Sequence, residues 1–338
     1  MRAASRPVVL GVVGDSAAGK TTITRGLANL LGPDRVTRVC ADDYHRFDRA
    51  ERARLEITPL HPDCNYLDIL ELHLERLHYG QPILKPVYDH ATGTLVRPAY
   101  VQPRQFVVVD GLLGFHTAVL RQFYDVKVFL DPPDELRRVW KLRRDTSLRG
   151  YRPEEVEAEL ARREADARAF LRPQREHADL VVRFGPPEGV RPEQAGPELD
   201  VRVLLRPSVP HPDLAGLVAA GGSEGGSIRL RGEREAGARV DVLEVDARVT
   251  PAETAMLAER IWRDLPEVPR SALAFGDYQD RADVRHSDPL AITQLLLAYQ
   301  LVRERRGAAP HRFAPAVAAL SRLSLPASGA DGELATTR

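Results

Sequence analysis

The segment Gly14-Asp-Ser-Ala-Ala-Gly-Lys-Thr21 fits the pattern G-x-x-x-x-G-K-[ST] at every fixed position. Its flanks constrain the fold. Before it runs Pro-Val-Val-Leu-Gly-Val-Val (7–13), a β-branched stretch suited to a buried parallel strand. After it, Thr22 to Leu31 reads as a helix. Strand, glycine loop and helix are what phosphate binding needs. Glycines let the backbone close around phosphate oxygens, and the helix N-terminus presents unpaired N–H groups. Gly14, Asp15, Ser16, Ala17, Ala18, Gly19, Lys20, Thr21 and Thr22 are therefore candidate nucleotide-binding residues. Lys20 can reach the β- and γ-phosphates, and the Thr21 hydroxyl can ligate Mg²⁺. The competing reading, a chance glycine turn, is disfavoured by the flanks. A nucleoside triphosphate is the expected ligand.

A chain of 338 residues, 43% of them hydrophobic, can bury a substantial core in one large or two ordinary domains. Its 48 basic and 48 acidic residues cancel, which argues against nucleic acid as a general partner. Cys40 and Cys64 are too few for a disulfide framework or a cysteine metal site. The opening Met-Arg-Ala-Ala-Ser-Arg-Pro runs straight into the first strand, and no apolar run reaches the roughly 18 residues of a membrane span. A soluble, cytoplasmic protein with no membrane partner is expected.

Up to about residue 190, strand-like and helix-like segments alternate. Strands are expected at 35–41, 106–109, 126–130 and 180–184, and helices at 66–78, 133–148 and 152–170. Such alternation predicts an α/β fold, a mostly parallel sheet flanked by helices. Residues 185–197, rich in Gly and Pro, read as a linker. A smaller α+β region is expected over 198–306, with strands at 201–206, 227–231 and 240–245 and helices at 251–265 and 289–303. The Ala/Pro/Ser/Gly-rich tail, 307–338, is expected to be disordered.

The second expected strand ends at Asp42-Asp43-Tyr44-His45-Arg46-Phe47-Asp48-Arg49. Ligands in open α/β sheets bind at carboxyl ends of strands. A carboxylate there can take the proton of an acceptor hydroxyl, and the nearby His and Arg can hold a second, anionic group. Asp110 ends the strand Phe106-Val-Val-Val and precedes Gly111, an arrangement suited to holding Mg²⁺. Arg137, Arg138, Lys141, Arg143, Arg144 and Arg149 crowd one helix and its end, and Arg162 and Arg163 lie on the next. These helices, over about 133–172, can fold over the nucleotide as a lid. Two or three of the basic residues, rather than all, are expected to act.

Three blocks in order resemble the phosphoribulokinase/uridine kinase group of P-loop kinases over about residues 8–184. They are Cys40-Ala-Asp-Asp-Tyr-His, Lys85-Pro-Val-Tyr-Asp-His-Ala-Thr-Gly93 and Lys141-Leu-Arg-Arg-Asp-Thr-Ser-Leu-Arg-Gly150. The resemblance implies ATP-dependent phosphorylation of D-ribulose 5-phosphate at its 1-hydroxyl. It places the catalytic base at Asp42 and sugar-phosphate binding at His45 and Arg49. It places lid arginines at Arg144 and Arg149, and a later substrate or effector pair at Arg162 and Arg163. Lys85, Tyr88 and His90 are implied near the sugar phosphate. The motifs together give Asp42, Lys20, Arg144 and Arg149 as catalytic candidates and Thr21 and Asp110 as metal candidates. The expected partners are ATP, Mg²⁺, a small sugar phosphate and, as a homodimer, a second copy of the chain.

Two departures stand out. The family usually has Glu-Gly-Leu-His where this chain has Asp110-Gly-Leu-Leu113, so the carboxylate is shorter and the histidine is missing. Redox-regulated members carry a P-loop cysteine where this chain has Ala18, so Cys40 is expected to form no thiol switch of that type. Two other readings compete: a uridine-type nucleoside kinase, whose acceptors lack a phosphate, and a non-catalytic nucleotide sensor.

Overall fold

Strand β1 (Val8–Gly14) is buried along its whole length and lies mid-sheet, between β5 (Phe106–Gly111) and β6 (Val126–Leu130), parallel to both. Strand β2 (Val36–Cys40) pairs parallel outside β5, and β7 (Leu180–Gly185) pairs parallel outside β6. Helices cover both faces, so these strands read as apolar runs without alternation. In the computed structural model, residues 6–209, 211–214, 216, 226–263, 275–280 and 283–307 are described.

The mostly parallel sheet expected from the sequence is present, and it continues further. Strands β8 (Asp200–Leu205), β10 (Ala238–Val245) and β9 (Ile228–Glu235) add antiparallel to the β7 edge. The eight-stranded order is β2-β5-β1-β6-β7-β8-β10-β9. Sheet extension is thus one thing the C-terminal region does.

Helix α1 (Lys20–Leu31) packs on one face against the helix Asp288–Gly307, which in turn touches the helix Pro251–Arg263. The helix Asp288–Gly307 is buried nearly all round from Leu290 to Val302, the environment in which a helix loses its polar face. Helix α3 (Leu67–His78) lies on the opposite face, with Leu70, Leu74 and Leu77 in that face's core cluster. Short helix α2 (Arg49–Arg54) is set by a capping box: Glu51 N–H donates to Asp48 Oδ1 and Asp48 N–H to Glu51 Oε2, both at 2.8 Å. Short helix α4 (Ala118–Gln122) precedes β6.

The segment expected to form a lid folds into α5 (Asp134–Leu148) and α6 (Pro153–Asp166). The single helix expected over 152–170 stops at Asp166. A π-helical turn, Ala167–Leu171, and a 3-10 turn, Arg172–His177, follow; Pro173 cannot donate to an α-helical ladder. Two hairpins were not anticipated: β3 (Ile83–Asp89) with β4 (Thr94–Val101), and β11 (Asp277–Asp280) with β12 (Asp283–His286). The tail expected to be disordered lies, from residue 308 on, outside the described residues, as do residues 264–265 of the helix expected over 251–265. No helix among the described residues is long and apolar enough to cross a membrane.

Candidate active site

The loop after β1 carries two residues in the left-handed region, Ala17 (φ 66°) and Gly19 (φ 94°). Gly19 adopts this conformation without a Cβ penalty and directly precedes α1. Buried Lys20 donates Nζ to Gly14 O at 2.7 Å and to Asp15 O at 3.0 Å, so its ammonium spans the loop. Ser16 to Ile23 line one cavity of about 1330 Å³. The unpaired N–H groups of the first turn of α1 and the Lys20 charge give this wall an affinity for phosphate oxygens.

Asp42 and Asp110 stand at the carboxyl ends of adjacent strands, β2 and β5, and both line the cavity. Leu112 N–H donates to Asp42 Oδ1 at 2.9 Å, fixing that carboxylate. Burial pushes the Asp110 carboxyl up to about 6 despite the pull of nearby Lys20. A divalent cation beside it would favour the ionised form. No group of three or more His, Cys, Asp or Glu suited to a metal occurs among the described residues. That donor set fits Mg²⁺, which is held by one or two protein oxygens while substrate phosphates and water complete its shell. Thr21 and Asp110 are the residues that would hold it.

The neighbouring acid is differently occupied. Asp43 accepts from Lys85 Nζ and from Tyr88 N–H at 2.9 Å. This pair fastens the β3–β4 hairpin beneath the site. Lys85 is buried against Asp43 and is not part of the cavity wall, whereas Tyr88 and His90 are.

His45 is buried on the cavity wall, and its Nδ1 lies 2.8 Å from Asn65 Oδ1. Asn65 Nδ2 donates to Pro59 O and His61 O, each at 3.0 Å. Asn65 Oδ1 is therefore an acceptor, and the proton sits on His45 Nδ1. Burial lowers the imidazole to about 4 against the opposing pull of Asp42. His45 is thus a neutral ring near pH 7, with Nε2 an acceptor: suited to a hydroxyl, and unsuited to an anion unless it takes up a proton.

Two guanidinium groups flank it. Arg49 Nη2 donates to His90 O at 2.6 Å and lies 5.8 Å from the Tyr151 ring centre. Arg52 donates to Phe47 O and Tyr88 Oη, each at 2.7 Å, and lies 5.0 Å from the Tyr88 ring centre. Both line the cavity, and among the described residues neither is paired with a carboxylate. Arg52 was not singled out from the sequence. It sits in an Arg-rich helix, and only its hydrogen bond to Tyr88, 36 positions away, distinguishes it.

The lid is tied to the loop through buried acids. Asp145 accepts from Lys141 Nζ at 2.8 Å and Arg144 Nε at 2.7 Å, with Arg149 at 3.5 Å. Burial alone would raise Asp145, but Arg144 and Lys141 outweigh it and hold the carboxyl below its usual range. Arg144 also reaches Ser16 Oγ at 3.0 Å. Asp15 meets Arg137 at 2.9 Å and Arg163 at 3.2 Å. Arg163 lines the cavity but is buried and tied to Asp15 and Glu159, while Arg162 beside it is exposed on the same wall. Arg144 and Arg149 also line the cavity, so the structure brings together all the nucleotide, substrate, catalytic and metal candidates except Gly14, Asp15 and Lys85; of the basic cluster on α5, Arg137 and Arg138 do not line it.

The sheet, the glycine loop and the basic helices α5 and α6 over it define a P-loop α/β protein. The chain belongs to the phosphoribulokinase/uridine kinase family, whose model matches residues 9–190. It is 38% identical over 181 residues to the phosphoribulokinase of Synechocystis sp., a match covering 54% of each chain. It is 36% identical over 187 residues to the uridine kinase of Chloroflexus aggregans, covering 53% of this chain and 88% of that one. The chain spans about half the length of the curated phosphoribulokinases it matches. The solved phosphoribulokinase of Rhodobacter spheroides shares the fold at a TM-score of 0.57 and 17% identity, covering 75% of this chain and 94% of that one.

Proposed function

We propose that this chain is an ATP-dependent kinase that phosphorylates a sugar-phosphate hydroxyl, with D-ribulose 5-phosphate as acceptor and ribulose 1,5-bisphosphate as product. One observation carries the reading. The cavity that holds the phosphate loop and Asp42 also holds Arg49 and Arg52, two cations without carboxylate partners among the described residues. A second phosphate on the acceptor would satisfy them.

The acceptor hydroxyl gives its proton to Asp42, whose carboxylate is already aligned by Leu112 N–H. The hydroxyl oxygen then bonds to the γ-phosphorus, the bond to the β,γ-bridging oxygen breaks, and ADP leaves. Lys20 and the lid arginines Arg144 and Arg149 balance charge on the transferred group and exclude water. Mg²⁺, held by Thr21 and Asp110, would neutralise charge on the β- and γ-phosphates. His45 Nε2 is available to a sugar hydroxyl, and Arg49 and Arg52 to the 5-phosphate. A cytoplasmic homodimer is the expected setting.

The likeness to the Chloroflexus uridine kinase, across 88% of that protein, supports a second reading, a nucleoside acceptor. ADP release from ATP with purified protein and Mg²⁺ tests both. D-ribulose 5-phosphate should drive turnover, and ribose 5-phosphate and uridine should not. Turnover on uridine alone overturns the first reading in favour of the second, and ATP binding without turnover on any acceptor favours a sensor.

A further inference from the structure

The strand order separates the two ends of the cavity. The phosphate loop follows central strand β1; Asp42 follows β2 on one side of it, and Phe184 stands next to the end of β7 on the other. With the acceptor on the β2 side, a nucleotide lying across the loop places its base on the β7 side. That end of the wall includes Trp140 and Arg143 of the lid, Phe184, and Tyr278, Asp280 and Arg285 of the β11–β12 hairpin. The hairpin lies outside residues 9–190, the part that matches the family model.

The hairpin is referenced to the phosphate loop by one side chain. Gln294 is fully buried on the helix Asp288–Gly307. Its Oε1 accepts from Gly276 N–H at 2.7 Å, next to the start of β11, and its Nε2 donates to Thr22 O at 3.3 Å, in the first turn of α1. The amide fits because residue 26 is glycine; a Cβ there would lie 2.0 Å from Gln294 Nε2. Ser287 N–H closes the base of the hairpin on Gly276 O at 2.9 Å. Within it Arg285 Nε pairs with Asp280 at 2.8 Å.

We infer that the β11–β12 hairpin is the base-reading element of the nucleotide site, Tyr278 supplying a stacking face and the Asp280–Arg285 pair polar contacts to the base or its ribose. Gln294 is a positioning residue that keeps this element in register with the loop. The inference rests on the kinase reading for its ligand. A half-buried aromatic beside a hydrogen-bonding pair suits a heteroaromatic ring, whereas the loop suits only phosphate.

Calorimetric titration with Mg-ATP and, separately, Mg-tripolyphosphate tests it without an acceptor. The wild-type chain should bind ATP at least ten-fold more tightly than tripolyphosphate. Tyr278→Ala should remove most of that preference, weakening ATP by about ten-fold while leaving tripolyphosphate unchanged. Arg285 is exposed, so Arg285→Ala provides a second variant should Tyr278→Ala fail to fold. Equal loss of both ligands in a folded variant would make the hairpin merely structural and overturn the proposal. So would ATP affinity that neither variant changes, or a wild-type chain that binds the two ligands equally; both outcomes leave the kinase reading standing. A wild-type chain that binds neither ligand overturns the kinase reading as well.

Discussion

Asp15 Oδ1 lies 3.2 Å from Arg163 Nη2, a contact between the phosphate loop and lid helix α6 that joins residues 148 positions apart. Arg137 of α5 holds the other carboxylate oxygen at 2.9 Å. Both lid helices are therefore fastened to the loop through one buried acid. Arg163 is at once a lid residue and part of the loop's support.

Removing that acid leaves two buried guanidinium groups short of a partner. Asp15→Asn should destabilise the fold by about 3–5 kcal/mol, read from urea unfolding at pH 7. Burial alone would raise Asp15, but Arg163 and Arg137 together outweigh it and hold the carboxyl below its ordinary 3.8. The unfolded chain thus takes up the proton first as pH falls. The stability from this pair is complete above about pH 5 and is lost as pH drops through 3.8 and on through the folded value. If wild type and Asp15→Asn unfold alike at pH 7, the carboxylate does not pin the lid.

Asp42→Asn should lower kcat by about two to four orders of magnitude while ATP affinity survives. The amide keeps the shape of the side chain and an oxygen for Leu112 N–H, but it cannot take the acceptor's proton. Near-normal turnover in this variant would move the base assignment elsewhere.

What the sequence made legible is what acts locally. The glycine loop and Asp42 follow strands within a few residues and Asp110 stands at the end of one, so short-range pattern sufficed to find them. Lys85 shows the limit: its block placed it near the sugar phosphate, yet it is buried against Asp43, a pairing that only the β3–β4 hairpin creates. Strands β8 to β10 were found as strands, but that they extend the parallel sheet depends on edge pairing far from any motif. The β11–β12 hairpin, Asp-Tyr-Gln-Asp and Asp-Val-Arg-His, has too few apolar residues to show a strand period.

The neutral state of His45 is checked by NMR titration of its ring in the free protein. The transition should fall at about 4, depressed by burial. Because the folded value lies below the unfolded 6.5, the unfolded chain binds the extra proton first. His45 should therefore cost the fold roughly 3 kcal/mol as pH falls from 6.5 to 4, and no more below that. A midpoint near 6.5 would make the ring a cation donor at mildly acidic pH and return it to the role of anion ligand.

Arg52 distinguishes the two acceptor classes most sharply. Its guanidinium donates to Tyr88 Oη at 2.7 Å and stacks 5.0 Å from that ring's centre, so it is held in place before any substrate arrives. A charge-assisted bond to a phosphate is worth about 1.5–3 kcal/mol, so Arg52→Ala should raise KM for D-ribulose 5-phosphate by about ten- to a hundred-fold. The KM for ATP should stay within about two-fold, since the phosphate loop and the lid ties at Asp15 and Asp145 do not involve Arg52. Arg52→Lys should recover only part of the loss, because an ammonium cannot both stack on Tyr88 and present a planar fork. Were uridine the acceptor turned over instead, its KM would be nearly unchanged by the same substitution, since a nucleoside carries no phosphate for Arg52. A KM for D-ribulose 5-phosphate that Arg52→Ala leaves unchanged, or that rises only in step with the KM for ATP, would show that Arg52 supports the shape of the site through Tyr88 and does not read a phosphate.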